Sequence, residues 1–205
     1  MATRTVQQPL FGVVPALPEG MRYELEVVSR EEEASLLERI RELPLQEAQY
    51  RQYTARRRTL SYGGQYDFGA RKLDPGPPVP AFLLPLREKI ARWAGVGPSE
   101  FQHALVTEYR PGTPLGWHRD VPDFEVVVGV SLAGRARMRL RPYRPGQRHD
   151  RKDAIALELE PRSAYVLRGE ARWGWQHCIA ATKELRYSIT FRTPRRIAST
   201  SGAAS

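Results

Sequence analysis

The stretch Arg186-Tyr187-Ser188-Ile189-Thr190-Phe191-Arg192 alternates with a period of two. As a strand it puts Tyr187, Ile189 and Phe191 on one face and Arg186, Ser188, Thr190 and Arg192 on the other. The apolar face demands a core. The polar face carries two guanidiniums about 20 Å apart along the strand, long enough to close from opposite ends on a small dianion between them. A strand face turned to solvent is the plainer reading, but an ion-pairing site for a dicarboxylate explains both arginines better.

Working outward from this strand, the chain after Gly97 breaks into short apolar runs separated by Gly, Pro and charge, at about 103–109, 125–132, 135–141, 154–159, 163–167 and 185–193. Such spacing predicts a sandwich or jelly roll. In the 135–141 run, Ala136, Met138 and Leu140 alternate with Arg135, Arg137, Arg139 and Arg141, so one face is apolar and the other is a stripe of guanidiniums. A solvated outer face is the simpler reading of that stripe and a phosphate track the other.

Before Gly97 the character is helical. Ser29-Arg30-Glu31-Glu32 is a capping box. Leu36, Leu37, Ile40 and Leu43 follow at helical spacing until Pro44. A second helix is predicted from Pro80 to Trp93, burying Phe82, Leu83, Leu86, Ile90 and Trp93 and ending at Gly95. Between them, Gln49 to Pro78 is rich in Arg, Tyr and Gly and suits an ordered loop or short hairpin. The expected organisation is an irregular arm over 1–22, a helical extension over 23–97, a β core over 98–195 and a disordered tail over 196–205.

A chain of 205 residues with 41% hydrophobic content can bury one sizeable core. It has no run of about 18 apolar residues, and Pro9, Pro15 and Pro18 interrupt its start. A cytoplasmic monomer with no membrane association is expected. The single cysteine, Cys178, excludes an internal disulfide and any Cys-rich zinc cluster. The formal charge is +9, and of 32 basic residues only Lys72, Lys89, Lys152 and Lys183 are lysine. Arginine forks suit a polyanion, although a GC-rich genome would give the same Arg-to-Lys ratio.

Any metal must therefore be held by His and carboxylate. Of the four histidines only His118 stands in a His-x-Asp arrangement, Trp117-His118-Arg119-Asp120. In an extended segment residues i and i+2 point to one side, so His118 and Asp120 can converge on one ion. The intervening chain has room for several strands to bring His177 back beside them. Two His and one carboxylate leave open positions on the ion, which suits non-haem Fe(II). Cys178 points to the opposite side from His177 and reads as a small buried hydrophobe. His103 and His149 have no motif context and read as structural or surface residues.

Taken together, Tyr109-Arg110-Pro111-Gly112, His118-Arg119-Asp120, Ser131-Leu132, Pro161-Arg162-Ser163, Trp175-Gln176-His177 and the 186–192 strand resemble, in order and spacing, the AlkB family of 2-oxoglutarate- and Fe(II)-dependent dioxygenases. The resemblance covers about residues 56–193. It implies a double-stranded β-helix, or jelly roll, mainly β with flanking helices, and an N-terminal extension forming a nucleotide-recognition lid. It implies Fe(II), 2-oxoglutarate and O2 as cofactors. His118, Asp120 and His177 become the metal ligands, Arg186 with Tyr109 the partners of the distal 2-oxoglutarate carboxylate, and Arg192 a neighbour of its iron-bound end. Thr107 and Ser188 stand where other members carry asparagines that help hold the co-substrate. Tyr62 and Tyr66, with the preceding Arg58, fall in the lid that touches the nucleotide, and Trp117 would stack on an extruded base or pack beside the metal.

The activity implied is oxidative demethylation of alkylated bases in DNA or RNA, of the 1-methyladenine or 3-methylcytosine type, releasing formaldehyde and succinate. Nucleic acid with a single-stranded or flipped base is the implied partner. Base-repairing members often place an acidic residue two positions after the ligand Asp; here Pro122 is there and Asp123 one step on. The same oxidation of a methylated protein side chain or a modified tRNA base is the second reading, and a non-catalytic nucleic-acid-binding jelly roll the third.

Overall fold

The computed structural model describes residues 16–50, 53–67, 72–147 and 153–195, with backbone only at 48–50, 53–55, 65–67 and 72–73. Most of the expected N-terminal arm, His149 and the expected tail lie outside these residues.

The chain opens with β1 (Met21–Glu24) and α1 (Arg30–Arg41), then β2 (Gln46–Tyr50), β3 (Tyr53–Tyr62) and a small hairpin of β4 (Gln65–Asp67) and β5 (Lys72–Asp74). A 3-10 turn over Ala81–Leu83 leads into α2 (Leu84–Ala94). Next come β6 (His103–Tyr109), β7 (Leu115–His118), β8 (Phe124–Ala133), β9 (Ala136–Pro142), β10 (Ile155–Leu159) and β11 (Ala164–Leu167). The short α3 (Gly169–Trp173) precedes β12 (Trp175–Ile179) and β13 (Arg186–Pro194). No helix among the described residues is long and apolar enough to cross a membrane.

Two antiparallel sheets carry the fold: a seven-stranded one in the order β1-β11-β8-β13-β6-β3-β2, and a four-stranded one in the order β10-β9-β12-β7. They pack into a jelly roll. One hydrophobic cluster lies between them, joining Phe124, Val127, Tyr165 and Leu167 of the large sheet to Met138, Leu140, Leu157, Leu159 and Ile179 of the small one. A second fills the opposite side of the large sheet, where Tyr187, Ile189 and Phe191 meet Leu36 and Ile40 of α1 and Leu86 and Ile90 of α2. Both helices thus roof the sheet, as their apolar stripes require.

Local chemistry sets these boundaries. Ser29 Oγ accepts from Glu32 N at 3.2 Å while Glu32 Oε2 accepts from Ser29 N at 2.7 Å, the reciprocal capping box. The second helix ends at Gly95, whose φ of 67° needs glycine's freedom. One arginine clamps α1 to the sheet: Arg162, in the turn before β11, donates to Glu26 at 2.6 Å and to Glu33 at 3.1 Å. The other oxygen of Glu33 accepts from Ala133 N at 2.9 Å. The Pro161-Arg162-Ser163 motif is therefore a structural joint.

The sequence predicts a loop or short hairpin over 49–78, and the structure departs from that. Consecutive strands β2 and β3 pair antiparallel from Gln46↔Thr59 to Tyr50↔Tyr53, and β4 and β5 make a second, shorter hairpin. The preceding ten residues of β3 extend the large sheet, pairing with β6 from Arg58↔Glu108 to Tyr62↔Ala104. The three consecutive arginines hide the alternation, but Leu60 and Tyr62 point into the helix-covered core, and threonine and tyrosine favour the pleat.

The inner face of the large sheet has one position without a side chain. Gly129 on β8 lies under the ring of Tyr165 on β11, and a Cβ there would sit 2.4 Å from Tyr165 Cζ. Gly129→Ala is therefore expected to push the ring off the sheet and destabilise the protein by about 1–3 kcal/mol, read from urea denaturation. An unchanged midpoint would mean that the ring yields freely.

Candidate active site

The site is built where the small sheet meets the inner face of the large one. On β7 and β12, His118 and His177 are direct cross-strand partners, with ring centroids 4.3 Å apart. Two residues past His118, Asp120 returns to the same side and brings its Oδ2 to 3.8 Å from His177 Nε2. One ligand atom from each of His118, Asp120 and His177 lies within 4.8 Å of the others, a set that can hold a metal ion. These are the three residues the sequence brings together.

Protonation is already suited to a metal. Burial pushes the His177 imidazole down to about 3 and also lowers that of His118, so both rings are neutral at physiological pH. His118 Nδ1 lies 2.9 Å from the Gly116 carbonyl, which fixes the proton there and leaves Nε2 as the free lone pair. Burial alone would raise the Asp120 carboxyl, but Arg192 and both histidines outweigh it and hold the group well below the usual carboxylate range.

Asp120 divides its two oxygens. Its Oδ1 accepts from Arg192 Nε at 3.0 Å and from Nη2 at 2.9 Å, leaving Oδ2 facing the histidines. Arg192 is itself oriented by His103, whose Nδ1 is 3.2 Å from Nη1. Burial brings His103 down to about 3, so the ring is neutral and accepts from the guanidinium. The loop after Asp120 is fixed by Arg172 of α3, whose Nη2 donates to the carbonyls of Asp120 (3.2 Å), Val121 (2.7 Å) and Phe124 (2.9 Å). Sequence reasoning missed His103 and Arg172. The only signs were a histidine in phase with the inner face of β6 and an arginine directly before Trp173, five residues ahead of the ligand His177.

The polar face of β13 is buried against the site, not solvated. Arg186 and Ser188 pair with Tyr109 and Thr107 on β6, and with Ala133 and Ser131 on β8. Thr107, Tyr109, Arg186 and Ser188 are all buried. Arg186, only 1% exposed, donates from Nε to Ser131 Oγ at 3.0 Å and lies 4.9 Å from the Tyr109 ring. Its Nη1 is buried with no hydrogen-bond partner among the described residues. A buried cation with an orphaned donor fits a missing anion. The expected closure of two arginines on one dianion is corrected here: Arg192 is committed to Asp120, and Arg186 alone offers a free donor.

The expected substrate residues are placed otherwise. Arg58 points to the outer face of β3, where it grips Glu108 at 2.8 and 2.7 Å beside the Tyr187 hydroxyl. Tyr62 is buried in the helix-covered core. Trp117 points away from His118, and Arg141 lies 4.1 Å over its ring. The Tyr66 side chain lies outside the described residues. The strand's alternation turns Arg57 inward in place of Arg58, because a one-residue shift of phase exchanges the faces. Burial lowers the Arg57 guanidinium pKa, while Tyr109 raises it and Arg192 lowers it further, so this side chain is within electrostatic reach of the pocket.

Comparison with known proteins agrees with this geometry. The 2OG-Fe(II) oxygenase superfamily model matches residues 20–197. The chain is 30% identical over 168 residues to the Alkylated DNA repair protein ALKBH8 homolog of Arabidopsis thaliana, covering 71% of this chain and 49% of the relative. It is 27% identical over 174 residues to the tRNA (carboxymethyluridine(34)-5-O)-methyltransferase ALKBH8 of Macaca fascicularis, covering 82% of this chain and 25% of that protein. The chain thus spans half or less of the length of these curated relatives. The solved structure of OsALKBH1 shares the fold with a TM-score of 0.70 at 16% identity, covering 86% of this chain and 99% of that one. The metal-competent triad, the orphaned arginine and the family match converge: this chain belongs to the 2OG-Fe(II) oxygenase superfamily and, within it, to the AlkB family.

Proposed function

We propose that this oxygenase demethylates alkylated nucleic-acid bases of the 1-methyladenine or 3-methylcytosine type. The observation that carries the oxidative part is the juxtaposition of the His118, Asp120 and His177 ligand atoms with the unpartnered Nη1 of Arg186. Nucleic acid as substrate is supported by the name of the Arabidopsis relative, an alkylated DNA repair protein, and by the net charge of +9.

The donor set of two neutral imidazoles and one ionised carboxylate fits Fe(II), and the free guanidinium donor fits 2-oxoglutarate. Once bound, these cofactors and O2 supply the oxidation, converting 2-oxoglutarate to succinate and carbon dioxide and hydroxylating a substrate methyl that leaves as formaldehyde. His118 Nε2, His177 Nε2 and Asp120 Oδ2 hold the metal in this reading. Arg192 keeps Asp120 ionised and aimed. Arg186 takes the distal carboxylate, with the Tyr109 ring against its guanidinium and the Thr107 and Ser188 hydroxyls on the same pocket floor. The inner cluster around Tyr165 and Leu167 excludes water from one side.

A modified tRNA base is the second reading. It is favoured by the macaque relative, whose name is that of a tRNA methyltransferase, and by Pro122 where an acidic base reader would stand.

Iron-loaded protein supplied with 2-oxoglutarate in air is expected to form succinate faster when a single-stranded oligonucleotide bearing 1-methyladenine is added. Formaldehyde should appear with it, and His118→Ala should reduce both to background. Succinate formation that ignores the methylated oligonucleotide but responds to modified tRNA would transfer the substrate to the second reading. Arg186→Lys keeps the charge but loses the planar fork. It is expected to weaken 2-oxoglutarate binding by about ten-fold or more, measured by calorimetry on the metal-loaded protein, while metal affinity stays unchanged; equal affinity for the co-substrate would remove Arg186 from this role.

A further inference from the structure

We propose that the outer face of the four-stranded sheet, along Arg139, Arg141 and Trp117, is a track for the phosphodiester backbone of single-stranded nucleic acid. The proposal rests on the nucleic-acid reading above and adds where the strand lies.

The arginine stripe of β9 divides into two halves with different electrostatics. Arg135 donates to Glu160 at 2.6 Å, and Arg137 donates to Glu158 on the neighbouring β10. That half is neutralised in the way a solvated sheet face usually is. Among the described residues the other half has no such partners. Arg139 stands between Ala156 on β10 and Cys178 on β12 and is exposed with no carboxylate partner among the described residues. Opposite Gln176 on β12, Arg141 donates only its Nε to that amide, at 2.8 Å. Its guanidinium reaches across the narrow β12 side chains to lie 4.1 Å over Trp117 on β7.

At the same end of the sheet a second arginine lies on an aromatic ring. Arg119, following β7, stacks 3.7 Å over Tyr143, which follows β9. Three guanidiniums therefore occupy one end of one face, Arg139, Arg141 and Arg119, with no carboxylate bonded to any of them among the described residues. Neighbouring like charges on a sheet are destabilising unless an anion answers them. Stacking on a ring holds a guanidinium flat; Arg119 gives Nη1 to the Trp173 carbonyl at 3.1 Å and Arg141 gives Nε to Gln176, and their remaining edge donors are left for phosphate oxygens. Interleaved aromatics and arginines distinguish a polynucleotide, which offers both phosphates and bases, from an acidic peptide. Tyr143 stays 38% exposed with Arg119 on its ring, which leaves part of it for contact with a base.

The position suits the chemistry. Trp117 and His118 are adjacent on β7 and face opposite sides, so only the thickness of one strand separates the track from the metal ligands. A base withdrawn from its neighbours could reach round the edge strand while its backbone stays anchored.

The test is fluorescence anisotropy of the full chain with short labelled DNA and RNA single strands over a salt series. It compares Arg139→Gln/Arg141→Gln with Arg135→Gln/Arg137→Gln, which removes the same charge from the same strand face. The first pair is expected to weaken binding by about ten-fold and to flatten the slope of log K against log salt by about 1.4. The second should stay within about two-fold of the unmodified protein. The single, exposed Arg139→Gln leaves all packing intact and should flatten the slope by about 0.7. Equal losses from the two pairs would overturn the track while leaving the substrate reading in place. So would polyaspartate competing as well as unlabelled oligonucleotide. Failure of the unmodified protein to bind either strand would overturn both, and oligonucleotide-stimulated succinate formation reports separately on the enzyme reading.

Discussion

Asp120 has to remain an anion where water barely reaches, and the interior of this sandwich is arranged around that requirement. Burial acts against the charge, and the Arg192 fork reverses the balance by taking Oδ1 through two donors. Removing one partner of such a buried pair typically costs about 3–5 kcal/mol, because the other is left charged and unsolvated. Arg192 needs its own support, which comes from His103, and the Asp120 backbone needs a fixed loop, which comes from Arg172. Two further buried residues therefore follow from one carboxylate. The histidines opposite have the reverse requirement and are kept neutral by the same burial.

That arrangement explains why the large sheet has two chemically different faces. Tyr187, Ile189 and Phe191 join the core beneath α1 and α2, while Arg186, Ser188, Thr190 and Arg192 of the same strand line the space between the sheets. Stability comes mainly from the helix-covered side, where the buried side chains are aliphatic and aromatic. The inner side can then hold uncompensated polar groups. The orphaned Nη1 of Arg186 is tolerable only because the strand that carries it is central, paired on both edges and packed from behind.

The sequence announced the β core and the metal triad because both are written in short-range patterns. Strict alternation marked β9 and β13, turn residues separated the runs, and His-x-Asp places two ligands on one side of an extended segment whatever surrounds it. The capping box at Ser29 and Gly95 after α2 were equally local. What stayed hidden depended on partners distant in sequence. In β3 the run Arg56-Arg57-Arg58 gives no hydrophobic alternation, which obscures both the strand and its phase: the resemblance puts Arg58 in the nucleotide-touching lid, whereas β3 turns Arg58 to Glu108 and Arg57 inward. Tyr62 is chemically suited to stack on a nucleotide, but its strand position points it at the helices. Trp117 had the right neighbour and the wrong face. The role of Arg192 was half legible: its nearness to the metal followed from the motif, whereas its commitment to Asp120 required the fold.

Arginine is used here in three physical settings that composition alone merges into one number. Arg172, Arg186 and Arg192 are buried and bind internal acceptors with defined geometry. Arg58, Arg135, Arg137 and Arg162 tie one element to another through carboxylates. Arg119, Arg139 and Arg141 are left over at one end of one sheet, and two of them rest on aromatic rings. Lysine could not replace the first group, since a single ammonium cannot span both Asp120 and His103 as the Arg192 fork does. It would serve the second group only partly, and it would lose the flat stacking of the third. Arginine is thus required by function in the buried set, by geometry in the joints and by stacking at the sheet end, and of these three sets only the last has no carboxylate partner among the described residues.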